Sequence, residues 1–235
     1  MNKPIAHATT TPATPAATST LSLISALGLV SAICGLIIVG TYQTTLTAAK
    51  ANRQLAVERA VFKVLPTAKT VKEFLALPSG ELIPASSGEV PAGALRFHAA
   101  YDANNQLAGI AAEGAAKGYA DTVRVMFGYG SACQCIMGIG VVSMRETPGI
   151  GDKILTDKAF LQNFRALDVA LNDDLSALAH EVKVVKHGSK TQPWQIDAIS
   201  GATVTSRAVG KGINDAAQAL LPRLVPKLEQ LKGKP

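Results

Sequence analysis

The stretch DAISGATVTSRAV, Asp197 to Val209, places four hydroxyl side chains, Ser200, Thr203, Thr205 and Ser206, within seven residues, with no Cys, His or carboxylate between them. Such a set can cap a helix, hold a phosphate or accept a group covalently. WQIDAI before it reads as the end of a strand and SGAT as a tight turn. In VTSRAVGKGINDAAQAL after it, Val209, Ile213, Ala216, Ala217 and Leu220 recur at helical spacing and form one apolar face, so a helix is expected over Arg207 to Leu220. A Gly-containing turn that leads into a helix offers unpaired backbone N–H groups and the positive end of the helix dipole, where a phosphate binds. Thr205 or Ser206 acting only as the cap of that helix is an equally good reading. Neither reading specifies a covalent bond.

A second stretch, MRETPGIGDKI from Met144 to Ile154, bends through Pro148, Gly149 and Gly151. Proline holds Thr147 extended, and Pro with Gly makes a turn. The same composition would serve as a backbone loop stripped of side chains against which a flat ligand lies, with Glu146 and Thr147 offering polar contacts. Spacing alone leaves both readings open.

The elements that must position these residues follow from patterning. Between Pro4 and Ala49 the chain has no Asp, Glu, Lys or Arg, and LSLISALGLVSAICGLIIVG, Leu21 to Gly40, is continuously apolar. At about 1.5 Å per residue that run spans a bilayer's hydrocarbon core, roughly 30 Å. A cleaved secretory signal would have a shorter apolar region nearer a basic N-terminus, so the run is read as an anchor, with Tyr42 at the interface. The expected organisation is a Thr/Ala/Pro-rich tail over 1–20, a transmembrane helix over 21–42, a helical connector and irregular linker over 43–93, and a domain over 94–235. Helices are expected at Lys50 to Leu65, Lys69 to Leu77 and Thr156 to Leu167. Strands are expected in ALRFHAAY, QLAGIAAE, DTVRVMFGY, ACQCIMGIGVVSM, VKVV and WQIDAI. Short strands with tight connections favour an antiparallel sheet, and the class is α+β.

The net charge of +6 is spread along the chain and aromatic residues make up only 5%, so no basic and aromatic surface for nucleic acid emerges. Cys133 and Cys135 form C-x-C within an apparent strand. A metal site would need further ligands, and His7, His98, His180 and His187 are scattered without ligand spacing. The pair is therefore read as two buried small residues, and Cys34 as an apolar residue of the membrane span. Basic residues after the apolar run, Lys50, Arg53, Arg59 and Lys63, against Lys3 alone before it, would by the positive-inside rule leave the C-terminal part in the cytoplasm.

RETPGIGDKI together with DAISGATVTS resembles the FMN-binding domain shared by the RnfG component of the Rnf electron-transport complex and the NqrC component of the sodium-pumping NADH:quinone oxidoreductase. Glu146 to Gly151 meet E-T-P-G-L/I-G, and Asp197, Ser200, Gly201, Ala202 and Thr203 meet D-x-x-S/T-G-A-T. KGYADTV, Lys117 to Val123, is similar to the G-Y segment before the family's central hairpin. Two motifs in the right order make the resemblance specific. It implies a single N-terminal transmembrane helix followed by a domain with a mostly antiparallel sheet flanked by helices. It also implies FMN joined through its phosphate to the Thr203 hydroxyl by a separate flavin transferase. Ser200, Gly201, Ala202 and Thr205 would surround the phosphate, Glu146, Thr147, Gly149 and Ile150 would lie along the isoalloxazine ring, and Asp197 would be a further cofactor-binding residue.

By this resemblance the protein would relay electrons within an Rnf-type ion-translocating ferredoxin:NAD oxidoreductase. It would sit in the inner membrane with its domain on the periplasmic side, against the charge count, beside other Rnf subunits that include a second flavinylated one. No catalytic acid, base or nucleophile, no metal and no nucleic acid are expected. The equivalent component of the quinone-reducing pump, or an anchored binding module without flavin, are the alternatives.

Overall fold

A computed structural model describes residues 19–85 and 90–232. The tail expected over 1–20 lies outside the described residues up to residue 18. By compactness the chain divides into two units, Met1–Ala51 and Asn52–Pro235.

The first unit is formed by most of α1, Thr20–Val64. Among the described residues this is the one helix long and apolar enough to cross a membrane. Leu21, Ile24, Leu27, Val30, Ile37 and Ile38 are all exposed. A helix that is apolar all round yet uncovered by protein suits a lipid surround.

In the second unit the last turns of α1 pack on a sheet. Strands β1 (Thr70–Ala76), β2 (Leu82–Pro84), β3 (Leu95–Tyr101), β4 (Leu107–Lys117), β5 (Thr122–Gly130), β6 (Cys135–Ser143) and β7 (Leu167–Asp168) form one sheet in the order β2-β1-β3-β4-β5-β6-β7. All its pairings are antiparallel. On one face Ala60, Val61, Val64 and Leu65 pack with Ala100, Ala111 and Met126. On the other, α3 (Thr203–Leu224) lays Val209, Ile213, Ala217 and Leu221 against Ile110, Ala112, Val125 and Phe127. A Cβ on Gly114 of β4 would strike the backbone of Gly212 in α3, so the helix lies directly on the strand. Short α2 (Lys158–Gln162) and a parallel pair, β8 (Lys183–Val185) and β9 (Gln195–Asp197), complete the unit.

The α+β class with a mostly antiparallel sheet is as expected. Three local expectations are corrected. The segment Lys69 to Leu77 is strand β1 rather than helix: Thr70 to Ala76 pair along their length with β3, and Phe74 stacks on Phe97 at 5.7 Å. The linker before residue 94 therefore supplies two strands to the sheet. The helix expected over Thr156 to Leu167 is confined to α2: the Asp157 side chain accepts from Phe160 N–H at 2.9 Å to start it. Asn163 Nδ2 donates to the carbonyls of Ala159 and Phe160 at its end.

The third correction concerns the cysteines. Cys133 sits in the turn between β5 and β6, not in the strand, and it is disulfide-bonded to Cys135. Cys133 is exposed and Cys135 is 7% exposed, so they are not two buried thiols.

Candidate functional site

The two motifs meet around one carboxylate. Glu146 leaves the end of β6 buried, and its oxygens accept from the backbone N–H groups of Tyr119 (3.3 Å), Ala120 (3.1 Å) and Asp121 (3.4 Å). A fourth bond comes from the Thr205 hydroxyl, which donates at 2.6 Å. Burial alone would raise the pKa of this carboxyl. The Thr205 hydroxyl and the three N–H donors outweigh it and hold the pKa below the ordinary carboxylate value. Three segments far apart in sequence, the Gly118–Asp121 turn, the 144–151 loop and the first turn of α3, are thereby held at one point.

Two glycines make room for the junction. A Cβ on Gly118 would strike the Glu146 carboxylate, and one on Gly151 would come within 2.6 Å of Glu146 Cβ and 3.0 Å of Thr205 Oγ1. Between them the loop turns on Pro148 and Gly149: Gly149 has φ +76°, and Ile150 N–H donates to the Thr147 carbonyl at 3.2 Å. Proline followed by a residue of positive φ is the signature of a type II turn. Thr147, Pro148 and Gly149 are exposed and Ile150 is half-exposed. Tyr119 and Val204 are also exposed apolar side chains on segments bound to Glu146 or adjoining Thr205.

The second motif is a turn that ends in an uncapped helix. Ala202 N–H donates to the Ile199 carbonyl at 3.0 Å across Ser200 and Gly201, and Gly201 takes φ +81°. Ser206, fully buried, clamps this turn: its hydroxyl accepts from Ile199 N–H at 3.1 Å and donates to the Ala202 carbonyl at 2.9 Å. Ala202 occupies the N-cap and no side chain caps α3, which begins at Thr203 instead of Arg207. The first helical bond runs from Ser206 N–H to Ala202. Among the described residues no protein acceptor meets the amides of Thr203, Val204 and Thr205. The capping reading is thus corrected: neither Thr205 nor Ser206 serves the helix end, because both side chains are spent elsewhere.

Of the four alcohols, then, Thr205 and Ser206 are buried and hydrogen-bonded, while Ser200 is exposed and Thr203 partly exposed. Asp197 lies outside this cluster. Its carboxylate accepts from Gly188 N–H (2.9 Å) and Ser189 N–H (3.2 Å), which shapes the 187–190 loop. It does line, with Lys153, Asp157, Phe160, His187 and Ser200, an open cleft of about 300 Å³ beside the turn. Sequence reasoning missed Tyr119 and Val204 as neighbours of the site. The Gly-Tyr pair was the available signal for the first, and nothing marked the second.

An anionic group fits this geometry. Three adjacent unpaired amides at a helix start bind a phosphate, and a Cβ on Gly201 would meet nothing within 4 Å, so there is space above the turn. Exposed Ile150, Tyr119 and Val204 offer apolar surface to a ring system.

Residues 118–218 match the family described as FMN-binding domain, a range that contains Glu146, the 144–151 loop and the 197–206 turn. Among curated proteins, the chain is 35% identical over 107 residues to the G subunit of the Na(+)-translocating ferredoxin:NAD(+) oxidoreductase complex of Acetobacterium woodii, covering 45% of each chain. It is 35% identical over 123 residues to the G subunit of the ion-translocating oxidoreductase complex of Pasteurella multocida, covering 52% of this chain and 55% of that one. The chain thus spans about half the length of these relatives.

In structure it is similar to NqrC of Shewanella oneidensis, with TM-score 0.55, 21% identity, and 79% of this chain and 100% of that one covered. The C subunit of the Na(+)-translocating NADH-quinone reductase of Parabacteroides distasonis gives TM-score 0.58 at 18% identity, covering 81% and 98%. At these identities the likeness establishes the fold.

Proposed function

We propose that the protein is a membrane-anchored electron-relay component of an Rnf-type ion-translocating oxidoreductase complex, with FMN joined by a phosphoester to Thr203. The observation that carries this reading is the division of labour among the four alcohols. Thr205 and Ser206 are consumed in holding the turn and Glu146, which leaves Thr203 partly exposed at the first position of an uncapped helix. A phosphate on its oxygen sits beside the free amides of Val204 and Thr205, whose N–H groups and helix dipole favour the negative charge. Gly201 and Ala202 bring the backbone close, and exposed Ser200 adds a hydroxyl. The side chain of Thr205 takes no part in this.

FMN supplies the redox chemistry when bound, and the protein supplies position and tuning. Glu146 fixes the 144–151 loop against α3, so that Thr147, Gly149 and Ile150 stand at a set distance from Thr203. Asp197 acts from behind, through the 187–190 loop. A covalent link removes the repeated entropy cost of rebinding, and the open setting leaves the site accessible to donor and acceptor. The names of its relatives, G subunits of ion-translocating complexes, favour the Rnf-type assembly over the quinone-reducing pump. Other membrane subunits, one of them also flavinylated, and a flavin transferase are the partners this reading requires. The domain lies on the periplasmic side in it.

The test is the mass of the tryptic peptide Thr191–Arg207 from protein made in a host with a flavin transferase. The expected peptide carries FMN less one water, with fragmentation placing it on residue 203, and Thr203→Ala removes both the mass and the fluorescent band on a denaturing gel. An unmodified wild-type peptide, or a modification that persists in Thr203→Ala, overturns the assignment.

A further inference from the structure

The β5–β6 hairpin ends in a group of three sulfurs that has no part in the flavin site. β5 runs from Thr122, next to the turn that Glu146 binds, to Gly130. Its nine residues, at about 3.3 Å each, put the far end roughly 25 Å from that turn. There Gly130 pairs with Cys135, and the turn between them carries Cys133 and Gln134, the latter at φ +50°.

The disulfide Cys133–Cys135 does little for the fold. A cross-link stabilises chiefly by restricting the unfolded chain, and the gain grows with the loop it closes. This one spans a sequence separation of 2 inside a turn whose flanks are already paired. Its position instead suits chemistry. Exposed Cys133 is open to attack by an external thiolate, and Cys135, 7% exposed, is the leaving group. An exposed disulfide is the labile kind.

A third sulfur stands beside the pair. Met137 follows Cys135 by two residues along β6, at a bulge where Tyr129 pairs with Ile136 and Gly128 with Gly138, and it is 36% exposed. Its Sδ lies 2.8 Å, and Cys133 Sγ 3.1 Å, from the point that a Cβ on Gly130 would occupy. The absence of that side chain is what lets the sulfurs converge. Among the described residues no group of three His, Cys, Asp or Glu gathers anywhere, so the donor set here is sulfur alone.

We propose that Cys133, Cys135 and Met137 form a redox-gated site for a soft monovalent cation of the Cu(I) class. In the oxidised form the site is closed by the S–S bond. An external dithiol opens it: one thiolate attacks Cys133 Sγ, the S–S bond breaks and Cys135 leaves as thiolate. The second thiol of the reagent then displaces Cys133 and forms the reagent's own disulfide. Two electrons and two protons pass to the pair. Cation binding releases those two protons and forms two thiolate bonds and one thioether bond, the soft donors that select Cu(I) over harder divalent ions. Four-coordinate Zn(II) is short of ligands here.

The experiment uses the full chain in detergent with Cys34→Ala, so that the only thiols come from the pair. Dithiothreitol without denaturant, followed by iodoacetamide and mass spectrometry, is expected to label both Cys133 and Cys135. Reduced protein titrated anaerobically with Cu(I) against bathocuproine disulfonate is expected to retain one ion per chain. Cys133→Ser abolishes retention, and Met137→Leu, which conserves volume, weakens it at least about tenfold while the melting temperature stays unchanged. Labelling that needs urea, chelator stripping all copper from the reduced wild type, or Met137→Leu binding as the wild type each overturns the site. The flavin assignment fails or stands separately, because the mass of Thr191–Arg207 does not depend on either cysteine.

Discussion

Glu146 accepts four hydrogen bonds in a buried setting, and all four favour its charged form. Glutamine keeps one acceptor oxygen but turns an NH₂ toward donors, so Glu146→Gln is expected to cost about 1–3 kcal/mol, the range for leaving a buried donor unsatisfied. The pH dependence has a definite sign. Because the folded pKa is depressed, the carboxylate's contribution is complete above the pKa of an unfolded glutamate. It is lost as pH falls through the folded value. The gap in melting temperature between wild type and Glu146→Gln should be full above about pH 5 and should shrink below about pH 4. Thermal melts from acid to neutral pH measure it, and a gap of constant size would show that the charge is not what holds the loops. That Glu146 is the joint of three segments is not legible from ETPGIG. Its partners lie 25 to 27 residues upstream and 59 downstream, and only the fold brings them together.

At the scale of elements, α3 depends on its approach to β4. Gly→Ala in a regular element ordinarily helps, by limiting the unfolded chain. At Gly114 the added methyl meets the Gly212 backbone, which cannot rotate away as a side chain would. Gly114→Ala should therefore destabilise by about 1–3 kcal/mol, the usual cost of overpacking, seen as a lower urea midpoint with unchanged slope. A neutral or stabilising result would mean that helix and strand can part without cost. The α3 periodicity is readable because Val209, Ile213, Ala217 and Leu220 bury one face. Patterning places the start of the helix four residues late: its first turn carries no apolar stripe, and its hydroxyls resemble caps when they are in fact tertiary clamps. β1 reads as helix for a related reason. TVKEFLA is too short for its period to decide, and pairing with β3 supplies what propensity does not.

For the molecule as a whole, the question is the side of the membrane. The flanking cations Lys50, Arg53, Arg59 and Lys63 argue for a cytoplasmic domain only if they act as a loop. Arg53 belongs to the folded unit and lies 3.6 Å from Glu113, which Arg124 also contacts at 2.9 Å. Folded domains cross largely regardless of such charges. Protease added to right-side-out spheroplasts is expected to degrade the C-terminal domain, and a fragment protected until lysis would put it in the cytoplasm.

The sequence by itself determined the apolar span, the central hairpins and the two motif loops, because each rests on local rules: length of an apolar run, alternation, and the φ preferences of Gly and Pro. It also marked the candidate alcohols as a set. Only the tertiary structure decided which alcohols are free, Ser200 and Thr203, since Thr205 and Ser206 are withdrawn by partners remote in the chain or buried beneath the turn. Only the structure joined Cys133, Cys135 and Met137 over Gly130. Such convergences depend on strand register and helix approach, which are set by packing across the whole sheet and leave no mark in any single stretch of residues.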